Sequence, residues 1–398
     1  MLHGIELADG KARSYKNRWV RTDQTAAALG ETAIAGQVED TIMSELAGNV
    51  ANTNIVAHAG KLLALVEVNL PTEVDCNLDT VGRFDFGGRL RSSMTAHPHT
   101  DPGTGEMSFF GYEVVGPPYL RYHVVDGDGT LVHSAEITVP KPTMMHDFAI
   151  TETRAIFMDL PVVFDLDLLG KRPFPAAWAP DNGARVGVMP RRGTDADVVW
   201  CDIEPCYVFH VLNAFDSGDD VVLDVCRYET MFDEDLHGVG GGPARLERWT
   251  GSPTSRKVSV DVVSELPVEF PRPDERYFAR EHRFGFFSSP RMTDGSLGSA
   301  SGMALAKVDL SSGGVEVHDF GPGAISGEGV FVPASADAAE GEGYVISIVA
   351  DADAKRPSDL VVLDATDFTA APLATVHLPA RVPLGFHGNF VPRGALAR

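Results

Sequence analysis

The stretch MSFFGYEVVGPPYLRYHVVDGDGTLVHSAEI, residues 107–137, decides the fold class. It reads as three strands at 107–115, 119–125 and 131–137, rich in Phe, Tyr and Val. Gly, Pro and Asp separate them, with DGDG at 126–129 as the plainest turn. The same grammar runs outward in both directions, with β-rich runs at 54–57, 62–68, 155–159, 207–212, 221–228, 257–263, 304–309, 343–350 and 360–364. SSGG at 311–314 and GPG at 321–323 punctuate the later ones. The best helical candidate is 22–46, and glycines break it. No composition shift marks a linker, and the glycine cluster at 238–242 reads as a loop. The expectation is one all-β domain over residues 1–398. Strand runs that recur without a copied motif fit a β-propeller whose blades have diverged.

Composition narrows the function. With 33 Lys+Arg against 56 Asp+Glu the formal charge is −23, which argues against nucleic acid and against simple charge attraction to an anionic membrane. No apolar run reaches bilayer-spanning length; the longest, 62–68 and 345–350, are strand-sized. Residues 1–15 carry no apolar core of a secretory signal. Cys76, Cys201, Cys206 and Cys226 match no zinc or CxxC spacing and read as reduced, buried thiols of a cytoplasmic protein. GxxxxGK[ST], HExxH and GxSxG are all missing, and GVGGG does not open a helix after a strand.

Four of the thirteen histidines sit in unusual settings: His97 in MTAHPHTDPGTGEM, His146 in PTMMHDFAIT, His210 in EPCYVFHVLNAFD and His387 in PLGFHGNFVP. Burying an imidazole in such apolar, strand-like runs is costly unless its nitrogens find partners. For one histidine alone, a hydrogen-bonded core residue is the better reading. Successive gaps of 49, 64 and 177 residues fit no local motif, but they suit one ligand from each of several blades converging on a propeller axis. Imidazoles suit Fe, Zn and Cu, and carboxylates behind them would orient the rings. Glu67 in LLALVEVNLP, Glu269 in LPVEFPRPD and Glu328 in GEGVFVP are the candidates; each alone could be a strand-end ion pair.

These segments resemble the carotenoid cleavage oxygenase family, which includes apocarotenoid oxygenases, stilbene-cleaving dioxygenases and the vertebrate retinoid isomerohydrolase. NRWVRTD, ANTNIV, AHPHTDPGTGEM, MMHDFAIT, DLPVVFDLDL, YVFHVLNAFD, EFPRPDERY and FHGNFVP occur in family order along essentially the whole chain. The resemblance implies a seven-bladed propeller capped by loops and short helices that form a substrate tunnel. It implies Fe(2+) on the axis, held by His97, His146, His210 and His387, with Glu67, Glu269 and Glu328 behind them. His99 is not a ligand by this match. Thr53 in ANTN matches a small residue that approaches a vacant coordination position. The family also takes substrate from membranes, so peripheral membrane contact is implied.

Two departures shape the expectation. The family carries several dozen residues ahead of HGIELADGKARSYKNRWVRTD, so a start at Met1 implies absent opening strands and a blade with an open edge. The stilbene-cleaving branch places a Lys just before the first glutamate and a Tyr upstream; here the position is Val66, and GETAIAGQVED has no Tyr. A phenolate would lack its partner, so the resemblance favours an apolar polyene and O2, cleaved at one C=C bond into two carbonyl products. A stilbene- or phenylpropanoid-cleaving enzyme on the same iron site, a carotenoid binder without turnover and a metal-dependent propeller hydrolase are the alternatives. No flavin or nicotinamide site is implied.

Overall fold

Residues 107–137 form three antiparallel strands, Met107–Tyr112, Leu120–Val125 and Leu131–Ile137, with a tight turn at 126–129 in which the Gly129 amide donates to Asp126 O. The inner strand is buried at every position, while the outer one alternates, as expected when the inner strand has neighbours on both faces. The short strand His99–Thr100 adds on the inner side and completes a four-stranded meander.

The computed structural model describes residues 1–36, 49–172, 174–233, 241–293, 296–297 and 302–396. Five more units repeat the meander. The first is Asn54–His58, Lys61–Leu65, Thr72–Val74 and Thr80–Arg83. After the 107–137 unit comes Ala149–Ile150, Arg154–Asp159, Arg185–Pro190 and Val199–Asp202, then Tyr207–Ser217, Asp220–Tyr228, Arg245–Ser252 and Lys257–Ser264. A single parallel bridge, Asp202 to Lys257, joins the outer edges of those two. The next unit is Glu269–Pro273, Phe284–Pro290, Met303–Asp309 and Gly314–His318. The last has an inner strand in two pieces, Ala324–Ser326 and Val330–Pro333, against Gly343–Asp351, Asp359–Asp364 and Ala374–His377. The hairpin Leu2–Ala8/Lys11–Arg18 is the two-stranded seventh unit. It stands between the first meander and the C-terminal segment: Leu2 packs in one cluster with Leu62, Ala64, Val74, Val391 and Leu396. The architecture is the expected all-β propeller of seven blades.

The largest core cluster lies between the 107–137 blade and the two that follow it, around Phe110, Tyr122, Phe148 and Phe157, all fully buried. Their rings meet edge-to-face or stacked at 5.5–6.5 Å. Each such side chain contributes roughly 1.5–3 kcal/mol by leaving water, so flat blades are held face to face by aromatic packing.

Two expectations need correction. The helix spans only Asp23–Leu29, because Gly30 adopts a left-handed φ of 68° and ends it; residues 37–48 of the expected segment lie outside the described residues. Cys76 is exposed, on the turn between Thr72–Val74 and Thr80–Arg83, whereas Cys201, Cys206 and Cys226 are buried; all four are free thiols. Of the glycine cluster at 238–242, only Gly241 and Gly242 are described, and both have positive φ. Among the described residues no helix is long and apolar enough to cross a membrane.

Candidate metal centre

The four histidines arrive at the axis by different local devices. His97 is placed by the segment 92–97, which lies against strand Met107–Tyr112: the Thr95 amide donates to Phe110 O (2.7 Å) and the Tyr112 amide to Ser93 Oγ (2.9 Å). That approach needs Gly111, where a Cβ would collide with Ser93 O. His146 follows a main-chain stretch pinned by two fully buried phenols, Tyr112 donating to Met145 O and Tyr207 to Met144 O. Burial, reinforced by the Glu67 charge, raises both phenols far above their ordinary pKa, so both stay donors.

His210 sits on a β-bulge: register slips between Val208 and Val211, so Phe209 and His210 face one residue of the next strand. Glu269 opens a second bulge, between itself and Arg272, in which Phe270 takes a φ of 52°. Glu328 occupies the gap between the two pieces of its blade's inner strand. His387 has no strand at all; it lies beyond Ala374–His377, and its amide donates to Thr53 O at 3.2 Å.

The four imidazoles meet. One ligand nitrogen from each of His97, His146, His210 and His387 can be chosen so that all lie within 4.8 Å of one another. The Nε2 atoms of His97 and His146 are 3.0 Å apart, and ring centroids around the cluster are 4.6–5.0 Å apart. Three rings turn Nδ1 outward onto a glutamate: His146 onto Glu67, His210 onto Glu269 (2.5 Å) and His387 onto Glu328 (3.1 Å). Buried His210 Nε2 has no hydrogen-bond partner among the described residues. An orphaned nitrogen facing three other imidazoles is an unpaid desolvation penalty unless a cation sits among them. Four imidazole donors backed by carboxylates suit a divalent transition metal, and these residues could hold one.

The electrostatics differ from ring to ring. Burial, then the three neighbouring imidazoles, push His97 well below its ordinary pKa, as a neutral donor requires. Burial alone would lower His210, but the Glu269 charge and hydrogen bond outweigh it. Burial would raise Glu269, yet His210 and the Phe270 and Tyr228 donors hold it below the usual range. Glu328, though buried, is pulled down to about 2 by Arg272 and His387. Glu269 and Glu328 are therefore anions accepting from Nδ1–H of His210 and His387, which aims those two Nε2 lone pairs inward.

Aromatic side chains cover part of this ring. Phe209 lies 5.0 Å from His146, and Phe270 lies 5.3 Å from His210 and 5.2 Å from His387. A chain of ring contacts continues from Phe209 through Phe232 and Phe174 to Phe164 at 5.6–6.3 Å. A cavity of about 320 Å³ also opens on the cluster, lined there by His97, His210, His387, Asp147, Arg272 and Asn389.

The retinal pigment epithelial membrane protein (RPE65) family model matches residues 1–392. This chain belongs to that family. A carotenoid cleavage oxygenase of Mycobacterium tuberculosis is 38% identical over 440 residues, covering 98% of this chain and 86% of the relative. Among solved structures, the lignostilbene dioxygenase of Pseudomonas brassicacearum superposes with a TM-score of 0.85 at 31% identity, covering 98% of this chain and 86% of that one. Cobalt-substituted Synechocystis apocarotenoid oxygenase gives 0.83 at 28%, covering 96% and 85%. The RPE65-family relatives are named as oxygenases, and this chain is an enzyme of that class.

Within the RPE65-family frame, the remaining expected residues fall near the centre in different ways. The Thr53 hydroxyl donates to Asn52 Oδ1, and its link to the cluster is the main-chain carbonyl that accepts from His387. Val66 is buried directly before Glu67. His99 turns its Nε2 to Asp147 Oδ1 (2.9 Å) and Phe148 O (2.8 Å), away from the four-histidine cluster. Asp147, unnoticed in the sequence, also accepts from the Val211 amide at 2.8 Å, tying the residue after His146 to the residue after His210. Tyr228 donates to Glu269 Oε1 at 3.1 Å. The signal for Asp147 was present: an acid directly after a candidate ligand, inside an apolar run.

Proposed function

We propose that this chain is a non-haem iron(II) dioxygenase that cleaves one C=C bond of a carotenoid or apocarotenoid. The four-imidazole cluster, three of whose rings are backed by glutamates, carries the reading. The reaction balances as alkene plus O2 giving two carbonyl products, with no external reductant. Ferrous iron held by His97, His146, His210 and His387 would supply the one-electron chemistry that lets O2 react with a closed-shell polyene.

The chain's own residues do the rest. Glu67, Glu269 and Glu328 fix the tautomer and tilt of three rings, and their negative charge favours a divalent ion between them. Phe209 and Phe270 lay apolar ring faces against the imidazoles, which suits an apolar substrate and keeps bulk water from the reacting bond. Thr53 stands at the edge of the centre. Single-domain organisation and uptake from a membrane surface are part of the same reading.

The lignostilbene-cleaving neighbour favours a second substrate class, a phenolic stilbene. Buried Val66 offers no cation to a phenolate, which supports the polyene instead. The test is direct. Anaerobically prepared protein should carry about one iron per chain, and incubation with apocarotenals under O2 should give paired aldehydes while a hydroxystilbene stays intact. Stoichiometric zinc with no O2 uptake would overturn the oxygenase reading; cleavage of the stilbene alone would overturn the polyene.

A further inference from the structure

His387 is the odd member of the cluster. His210 lies within a strand, and His97 and His146 lie two and three residues ahead of one, so their backbones run into blade ladders. The segment around His387 has no such ladder, and its neighbours Leu384 and Phe386 are 59% and 56% exposed. Something other than sheet pairing must hold this imidazole at the axis, and the hydrogen bonds converge on Arg272.

The Arg272 side chain is only 12% exposed. Its Nη1 donates to Glu328 Oε2 and to Gly388 O, both at 3.3 Å. Its Nη2 donates to Asn389 Oδ1 at 2.7 Å and to Glu275. Glu328 in turn accepts from the Gly388 amide at 3.1 Å while its other oxygen meets His387 Nδ1. Asn389 extends the lattice to the first blade, donating to Asn54 Oδ1 (3.1 Å) and Ile55 O (2.6 Å). One guanidinium thus grips the main chain just after His387, the side chain two residues after it and the carboxylate that orients it. A planar fork with fixed donor directions can do this; an ammonium cannot.

We propose that Arg272 is the positioning residue for the fourth histidine, locking the 387–389 segment and Glu328 into one rigid unit so that His387 meets the metal without a strand behind it. This rests on the metal-centre reading of the four histidines. Arg272 touches neither metal nor substrate in this role; it acts through Glu328 and the backbone. The closest alternative is that Arg272 merely neutralises a buried carboxylate, in which case any cation there would serve.

The test uses cobalt(II) as the probe, added to full-length apoprotein, with affinity read by chelator competition and coordination by the visible absorption of bound cobalt. Arg272→Lys keeps the charge beside Glu328 and loses the fork. Loosened affinity of about tenfold and an altered visible band are expected, with the apoprotein melting temperature close to that of the parent. Asn389→Leu, which spares Arg272 and Glu328, should move both readouts the same way to a smaller extent. If Arg272→Lys fails to fold, Asn389→Leu still decides the matter: parental affinity and spectrum there would overturn the proposal. Arg272→Lys with parental affinity and spectrum would overturn the positioning role in favour of simple charge neutralisation. Loss of affinity only in step with loss of melting temperature would reduce Arg272 to a structural residue. A parent protein that binds no cobalt would overturn the metal-centre reading itself, and this proposal with it.

Discussion

Replacing Glu269 by Gln isolates the charge behind His210. Glu269 Oε2 accepts from His210 Nδ1 (2.5 Å) and the Phe270 amide (2.6 Å), and Oε1 accepts from Tyr228 (3.1 Å). A glutamine amide is nearly isosteric: its oxygen can serve His210 and Phe270, and its NH2 can donate to the Tyr228 hydroxyl, which is free to accept. Geometry survives and one charge goes. A hydrogen bond to an ionised acceptor contributes about 1.5–3 kcal/mol, against roughly 0.5–1.5 for a neutral one, so the loss is about 1–1.5 kcal/mol, or near tenfold in metal affinity. Glu269→Ala goes further, leaving His210 Nδ1–H, the Phe270 amide and Tyr228 without their acceptor, which adds about 1–3 kcal/mol. The order should therefore be parent, then Gln about tenfold weaker, then Ala weaker by a further factor of about ten or more. Anaerobic titration of ferrous ion against a chelator of matched affinity measures all three. A Gln variant equal to the parent, or an Ala variant tighter than Gln, would refute the claim that a carboxylate anion on Nδ1 sets the donor strength of His210.

Three further outcomes are expected. His210→Ala should lose metal and C=C cleavage together, read by metal analysis and product assay on one preparation; retained stoichiometric iron would remove His210 from the ligand set. Gly111→Ala should cost roughly 1–3 kcal/mol by driving a methyl into Ser93 O, seen as a lower urea midpoint with reduced metal loading, and parental values of both would refute the placement of segment 92–97. His123 is buried between Ser92 and Ser134, and burial lowers its pKa to about 3. Because its folded value lies below the unfolded 6.5, stability is full above pH 6.5 and falls toward pH 3 as the unfolded chain takes up the proton the fold refuses. The share from His123 between pH 7 and 5 is about 2 kcal/mol, so a folded His123→Gln variant should lose that much less over this range in urea titrations, and an unchanged pH slope would refute the assignment.

What the sequence revealed and what it hid follow from where each residue gets its stability. Inner strands such as 107–112 and 207–212 are buried on both faces, so their apolar runs stand out. The hairpin strand KARSYKNR at Lys11–Arg18 and the strand RLERWTGS at Arg245–Ser252 are held by ladder bonds to neighbours, and their own composition gives little sign of it. The expected strand at 62–68 stops at Leu65, and the chain leaves the ladder before Glu67 meets His146.

The axis itself has a spacing that was open to reading. Asn54, His97, His146, His210, Glu269, Glu328 and His387 follow at steps of 43, 49, 64, 59, 59 and 59 residues, one per blade beyond the N-terminal hairpin with His387 closing the series. The 177-residue gap between the last two histidines is therefore three equal blade steps, and Glu269 and Glu328 stand where other blades place a histidine. That regularity explains why two of the glutamates reach the cluster from blades of their own: each carboxylate comes off an inner strand next to the blade or segment that carries its imidazole. It also explains why Arg272 escaped notice. An arginine three residues past Glu269 has no periodic counterpart in the other blades. Its role arises only because the final step of 59 ends in a segment without a strand, so the fourth imidazole has to be held by side chains from neighbouring blades instead of by a sheet.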